Sequence, residues 1–369
     1  MFSISEYKIS IIMPVYNGEK HLRETLDSIV NQSLGIENIQ VIIVNDCSTD
    51  KTKEIIDEYS AKYSSFKPIH LEENSGAPYT PRNIALNYVE SDYIMFIDAD
   101  DQYTETSCEI LYNAITTYMC DVAFGRYLRN YPEENIIRKS YTPFKDTLSK
   151  PYIDYKDDLV EGSNFKGIIS SLWKNIFSYF IYGSLINLEN NEEIFIKDIK
   201  EEKPSEIAIL KILPSFWTKI YRADLILKND IKFPDVISGE DLNFLLEAYL
   251  KSERGILFLN NQVVYDYYMR FEEEDKSVTK NINFKLVYES LKAYRLSSEL
   301  ADEYSLKNKH LFLNPYLLNW LNLWLSRNNT KDENKLFKEE IELMKKGAKN
   351  NWIYKILLNL INILLKLKS

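Results

Sequence analysis

Apolar positions along the first 125 residues follow two alternating rhythms. Short, nearly continuous apolar runs occupy Ile9–Val15 and residues 41–44, 69–71, 93–97 and 122–125. Between them, apolar residues recur at helical spacing: Leu22, Leu26, Ile29 and Val30 first, then within 52–63, 81–89 and 106–119. The continuous runs predict strands covered on both faces, and the three-to-four spacing predicts helices laid over them. Pro81 falls near the start of its helix, where a missing N–H is tolerated. Strand and helix in turn predict an α/β fold with a doubly wound, mostly parallel sheet. Residues 130–213 break the rhythm and read as an insert without a motif. Regularity returns at 216–221, with a helix over 241–251 and strands over 256–259 and 263–269. From Phe284 onward the pattern is helical.

Composition narrows the classes. Of 369 residues, 45% are hydrophobic and 27% charged, a globular balance that excludes wholesale disorder. The net charge of −10 excludes a basic nucleic-acid footprint, so no nucleic-acid partner is expected. Cys47, Cys108 and Cys120 fit neither a disulfide framework nor a zinc site and read as free thiols in a reducing compartment. His21, His70 and His310 form no ligand cluster in sequence. No signal peptide opens the chain and no uninterrupted apolar run reaches the roughly 18 residues of a bilayer span, so a cytoplasmic protein is expected.

In an open parallel sheet, ligands bind beyond the carboxyl ends of the strands. Polar residues follow four predicted strands in succession: Pro14-Val15-Tyr16-Asn17, then Asn45 to Asp50, then Asn74-Ser75-Gly76, then Asp98-Ala99-Asp100-Asp101. Three carboxylates in four residues repel one another, and a hard divalent cation would relieve that repulsion. Asp46 suits a hydrogen bond from a nucleobase, although an Asx turn or helix cap would use it equally well. Tyr16 can stack on a base. Arg82, at a helix start where its charge opposes the helix dipole, points to an anion nearby, either a diphosphate or the acidic cluster. The Glu240-Asp241 pair opens a helix, where the dipole favours acids, or supplies a base.

These blocks resemble the family 2 inverting glycosyltransferases of GT-A fold, which include polysaccharide and teichoic-acid synthases. The resemblance is carried by ISIIMPVYNGEKHLRETLDSIVNQ (9–32), VIIVNDCSTDKT (41–52), NSGAPYTPRNIAL (74–86) and DYIMFIDADD (92–101). Two later blocks, 217–250 and 267–281, resemble the acceptor-side and closing segments. The S-G-x-P-x-x-P-R-N form and T-K-I-Y-R are similar to wall-teichoic-acid enzymes that decorate polyribitol phosphate.

The resemblance implies a nucleotide-sugar donor, most simply UDP-linked, and a hydroxyl acceptor on a glycan or polyol-phosphate polymer. It implies that Pro14, Val15, Tyr16, Asn17, Asp46, Asn74, Gly76, Arg82, Asp98, Ala99, Arg270 and Ser277 bind the donor. Asp100, with Asp98, would hold Mn2+ or Mg2+, and Asp241, assisted by Glu240, would be the catalytic base. The catalytic domain would cover 1–283, with a nucleotide-sugar half (1–125) and an acceptor half (126–283), and a helical region would follow at 284–369. The Gln-x-x-Arg-Trp element of processive synthases is absent from the sequence, so one transfer per binding event is expected. Competing classes are a sugar nucleotidyltransferase and a catalytically silent nucleotide-sugar scaffold. In the tail, 352–368, polar residues form one narrow helical stripe and lysines abound. That pattern fits an interfacial helix on the inner face of the membrane or a helix buried in protein, including a homo-oligomer interface.

Overall fold

The computed structural model describes residues 6–131, 136–141, 193–197, 215–270, 283–306, 324 and 329–347. Its elements run β1 (Ile9–Val15), α1 (Leu22–Val30), β2 (Ile39–Asn45), α2 (Thr52–Lys62), β3 (Phe66–His70), α3 (Tyr79–Leu86), β4 (Tyr93–Phe96), β5 (Gln102–Tyr103), α4 (Ser107–Tyr118), β6 (Val122–Tyr131), β7 (Ile136–Tyr141) and β8 (Glu193–Lys197). They continue with β9 (Lys219–Arg222), α5 (Ala223–Lys228), α6 (Glu240–Lys251), β10 (Ile256–Tyr268), α7 (Phe284–Glu303) and α8 (Lys331–Gly347).

The strands form one sheet ordered β3-β2-β1-β4-β9-β6-β10-β5, with β7 added on β6 and β8 on β10. The first four are parallel, as the alternation predicts. β9 runs antiparallel to both β4 and β6 and so joins the four parallel strands to the remainder of the sheet. β10 is again parallel to β6. Both faces are covered because the strands carry apolar side chains on both sides. Ile9, Ile11 and Met13 of β1 meet Leu22, Leu26 and Ile29 of α1, Ile56 of α2 and Leu111 of α4. Ile12, on the other face, shares a core with Ala85 and Leu86 of α3 and Phe244 of α6.

Three elements differ from the sequence reading. β3 starts at Phe66 rather than at 69, with Pro68 inside it. That is tolerated because β3 is the sheet edge and pairs only with β2, leaving one side free of ladder bonds. The segment 216–221 divides into a 3-10 turn, Phe216–Thr218, and the start of β9. The runs 256–259 and 263–269 are one strand, interrupted by register shifts against β6 between Phe258 and Tyr265. Of the insert, two strands are described, and both extend the sheet. Tyr152, Trp173, Tyr179 and Tyr182 of the insert lie outside the described residues, as does the tail 352–368.

The helical region packs on α6. α7 is capped by Asn283, whose side chain accepts the Leu286 N–H at 2.9 Å, and lies against α6. α8 is tied to α7 by Arg295 and the buried Glu340 at 2.6 Å. Among the described residues, no helix is long and apolar enough to cross a membrane.

The bulge in β10 depends on Gly125. A Cβ there would sit 2.8 Å from both the Gln262 carbonyl oxygen and Val264 Cγ1. Since a backbone atom cannot step aside cheaply, Gly125→Ala should lower stability by about 1–3 kcal/mol, read as a lower unfolding midpoint in urea. An unchanged midpoint would mean that the β6–β10 contact is looser than described.

Candidate active site

The carboxyl ends of β1, β2 and β4 and the loop after β3 converge as the sequence predicts, and local hydrogen bonds explain how. After β1, Asn17 takes a left-handed conformation (φ 50°), one that Asn adopts more readily than most residues. Its Oδ1 accepts the Thr49 N–H at 2.8 Å, and its own N–H donates to Ser48 Oγ at 2.9 Å. The first two loops are therefore zipped together, leaving the Tyr16 ring 53% exposed at their rim beside buried Val15 and half-buried Pro14. Asp46 is buried and accepts from the Ser75 N–H (2.8 Å), the Ser75 hydroxyl (2.9 Å) and Asn74 Nδ2 (3.3 Å). Asn74 Nδ2 also donates to the Asp46 carbonyl at 2.9 Å. Gly76 follows with φ 77° and open space where a Cβ would point. Asp46 thus shapes the third loop. A carboxylate has about four lone-pair positions, so these three donors leave about one for a ligand.

The centre of the site is Arg82. Only 4% exposed, its guanidinium donates to Asp98 Oδ1 and to Glu240 Oε1, each at 2.9 Å. Phe216 and Phe233 flank it, with ring centroids 4.6 and 5.2 Å from Cζ. The neighbouring Asn83 exchanges two hydrogen bonds with the Phe233 backbone, at 2.8 and 2.9 Å. The acidic cluster thus supplies an anion to Arg82: its two terminal nitrogens each meet a carboxylate, Asp98 after β4 and Glu240 at the start of α6, while its Nε has no hydrogen-bond partner among the described residues. Pro81 is the third helical residue, early enough to be harmless.

The four residues after β4 separate into distinct environments. Asp98 is partly buried on Arg82. Ala99 gives its carbonyl to the Thr25 hydroxyl of α1 at 2.9 Å. Asp100 leaves 53% of its side chain exposed, and its carbonyl accepts from Arg270 Nη1, which lies 3.5 Å from Asp100 Oδ2. Asp101 is turned inward and 1% exposed. Burial, then the charges of Asp100 and Asp98, push its carboxyl well above the usual carboxylate range. The repulsion legible in the sequence is therefore relieved largely by two arginines and by burying the third acid. Among the described residues, no three His, Cys, Asp or Glu side chains gather into a metal cluster. Asp98 and Asp100 still present the hard oxygen donors that Mg2+ or Mn2+ prefers, with further positions left to a ligand's oxygens and water.

Opposite stands the start of α6. Gly239, at φ 83°, makes the left-handed step into the helix. Glu240 is buried on Arg82, and Asp241 follows with its Oδ1 accepting the Leu242 N–H at 2.8 Å. Desolvation first, and then the adjacent Glu240 charge, raise Asp241 to about 8. Lys219, fully buried, donates to the Ser215 carbonyl at 2.7 Å, and burial pushes its amine well below its ordinary range. The sequence reading missed Asn83, Phe216 and Phe233 as members of this site, because their contacts with one another and with Arg82 span more than 100 residues, and it missed Lys219 because its burial is decided by the fold. Ser277 lies outside the described residues.

The family model described as glycosyl transferase family 2 matches residues 10–181. Poly(ribitol-phosphate) beta-glucosyltransferase of Bacillus spizizenii is 27% identical over 83% of this chain and 40% of its own length. Poly(ribitol-phosphate) beta-N-acetylglucosaminyltransferase TarS of Staphylococcus aureus is 29% identical over 70% of this chain and 35% of its own. The alignments thus span two fifths or less of these curated relatives. The crystal structure of S. aureus TarS 1–349 in complex with UDP-GlcNAc superposes with a TM-score of 0.61 at 22% identity, covering 97% of this chain and 88% of that one. That likeness shows the GT-A fold expected from the sequence.

Arg82→Met would strand two carboxylates in a buried place, and stability should fall by about 3–5 kcal/mol in urea unfolding. Arg82→Lys, a point charge without the fork, should recover only part of the loss. A loss under about 1 kcal/mol, the level of an exposed pair, would contradict the buried bridge.

Proposed function

We propose that this chain, whose residues 10–181 match the glycosyl transferase family 2 model, transfers a hexose from a UDP-sugar to a hydroxyl of a teichoic-acid-like polyol-phosphate polymer, with inversion at the anomeric carbon. The relatives named above support the polymer, and the UDP-GlcNAc held by TarS supports the nucleotide. The observation that carries the reading is the placement of Asp241, a carboxyl of raised pKa, next to a Glu240 that Arg82 bolts to Asp98.

Each group then has a task. Tyr16 stacks on the uracil, and the remaining acceptor capacity of Asp46 takes its imide N–H. Asn17, Asn74 and Gly76 set the loop shapes around the nucleotide. Asp98 and Asp100 would hold Mn2+ or Mg2+, which when bound supplies Lewis-acid stabilisation of the leaving diphosphate. Arg270, beside Asp100, adds a fixed positive charge on the same side. Asp241 accepts the proton of the acceptor hydroxyl as that oxygen bonds to the anomeric carbon. The bond from that carbon to the diphosphate breaks in the same displacement, and UDP departs with the electron pair. One displacement inverts the centre and needs no covalent sugar–enzyme intermediate.

Turnover, product stereochemistry, two variants and the pH profile test this reading. With polyribitol phosphate as acceptor, UDP-Glc and UDP-GlcNAc should be compared for UDP release, and NMR of the product should show the opposite anomer. Release equal with and without acceptor would argue against transfer. Asp241→Asn should lower kcat by about 10²–10⁴ while leaving UDP-sugar affinity nearly unchanged. The base works only when ionised and its pKa is raised, so kcat/KM should fall as pH drops through about 8. Glu240→Gln removes the neighbouring charge and should move that limb to lower pH. A limb at the ordinary carboxylate pKa in the unmodified enzyme would remove Asp241 from the role.

A further inference from the structure

Asp101 is the acid of the site that the transfer chemistry leaves unused. Its Oδ1 accepts the Tyr268 N–H at 2.8 Å and its Oδ2 accepts the Tyr265 hydroxyl at 3.0 Å. The Tyr265 oxygen in turn accepts the Asp98 N–H at 3.3 Å, and the Asp101 N–H donates to the Asp98 carbonyl at 3.2 Å. These bonds close a loop between the turn 98–101 and the last residues of β10. Two residues beyond the end of β10, Arg270 reaches back to the Asp100 carbonyl. β5 pairs with β10 alongside, Tyr103 opposite Tyr265, and the Tyr103 hydroxyl donates to the Phe96 carbonyl at 2.6 Å.

Packing alone does not require this arrangement. The Tyr265 ring stacks on Trp217 at 4.2 Å and meets Tyr103 edge-on at 5.6 Å, contacts that a phenylalanine would also make. Only the hydroxyl reaches Asp98 and Asp101. An acidic turn left to itself would also splay, since its charges repel; one carboxylate drawn inward and fixed from β10 sets the direction of the other two.

We infer that Asp101 and Tyr265 are a positioning pair, which aligns the Asp98 and Asp100 carboxylates with Arg270 so that the divalent cation and the donor diphosphate are gripped from both sides. This deepens the donor reading and rests on it. The pair touches neither substrate nor cation; it acts through the residues that do.

The test uses the full chain with Tyr265→Phe, which keeps the ring, and Asp101→Asn. UDP affinity is measured by calorimetry in EDTA and in Mn2+, and amide hydrogen exchange is followed at Asp98 and Tyr268. In both variants UDP affinity in EDTA should stay within about twofold of the parent, while the gain on adding Mn2+ should shrink about tenfold or more. The Asp98 and Tyr268 amides should exchange faster as the loop of bonds opens. An unchanged Mn2+ gain in Tyr265→Phe overturns the inference, as does an equal loss of affinity with and without Mn2+, which a merely structural lesion would give. If Asp101→Asn fails to fold, Tyr265→Phe decides. If the parent chain binds no UDP in either condition, the donor reading falls. The pair is then judged by exchange: faster exchange at both amides in Tyr265→Phe supports it, and unchanged protection overturns it.

Discussion

A guanidinium sealed from water must find its counter-charges inside the protein, and Arg82 finds one in each half of the molecule. Asp98 comes from the end of β4 and Glu240 from the start of α6, 142 residues later in the chain. The planar fork fixes both directions at once, which an ammonium could not do. Phe216 and Phe233 close over its faces and keep water out. The end of β4 and the start of α6 are thereby held to one centre, and neither can drift without uncovering a buried charge. Everything else in the site is arranged around that fixed distance.

The same logic governs the remaining acids. Five carboxylates, Asp98, Asp100, Asp101, Glu240 and Asp241, crowd one region of a protein already carrying a net charge of −10. Each has a different compensation: Arg82 for Asp98 and Glu240, Arg270 beside Asp100, two donors from β10 for Asp101. Asp241 receives the weakest, one backbone N–H, with the Glu240 charge opposing its ionisation. Asp100 and Asp101 are raised as well, but Asp100 lies beside Arg270 and Asp101 is engaged by both donors from β10. Asp241, held by the Leu242 N–H, combines a raised proton affinity with the place of a candidate general base.

The parts of this site that sequence reading reached are those encoded locally. Strand ends followed by Asn, Asp and Gly mark turns because those residues tolerate left-handed backbone or bond to it, and Asn17 and Gly76 do so. Glu240-Asp241 was legible because acids favour helix starts. Arg82 was legible as a positive charge at a helix start that needs a nearby anion, and the acidic cluster supplies one in Asp98, while the second, Glu240, comes from far along the chain. Nothing adjacent to Arg82 announces Phe216 or Phe233. Asp101 illustrates the same limit: its sequence neighbours Asp98 and Asp100 look alike, and only the Tyr265 hydroxyl and the Tyr268 N–H single it out.

The order of apolar and polar residues alone determined the doubly covered parallel strands, the edge on which polar groups gather, and the acids and bases available there. Those properties follow from periodicity and short-range backbone chemistry, which neighbouring residues dictate. Tertiary structure alone decided that β9 enters antiparallel between β4 and β6, that β10 is one bulged strand, and which acid is paired, which buried and which left able to take a proton. Strand pairing and ion pairing join groups far apart in sequence, and proton affinity depends on what surrounds a carboxyl from every direction, so no stretch of chain read by itself contains that information.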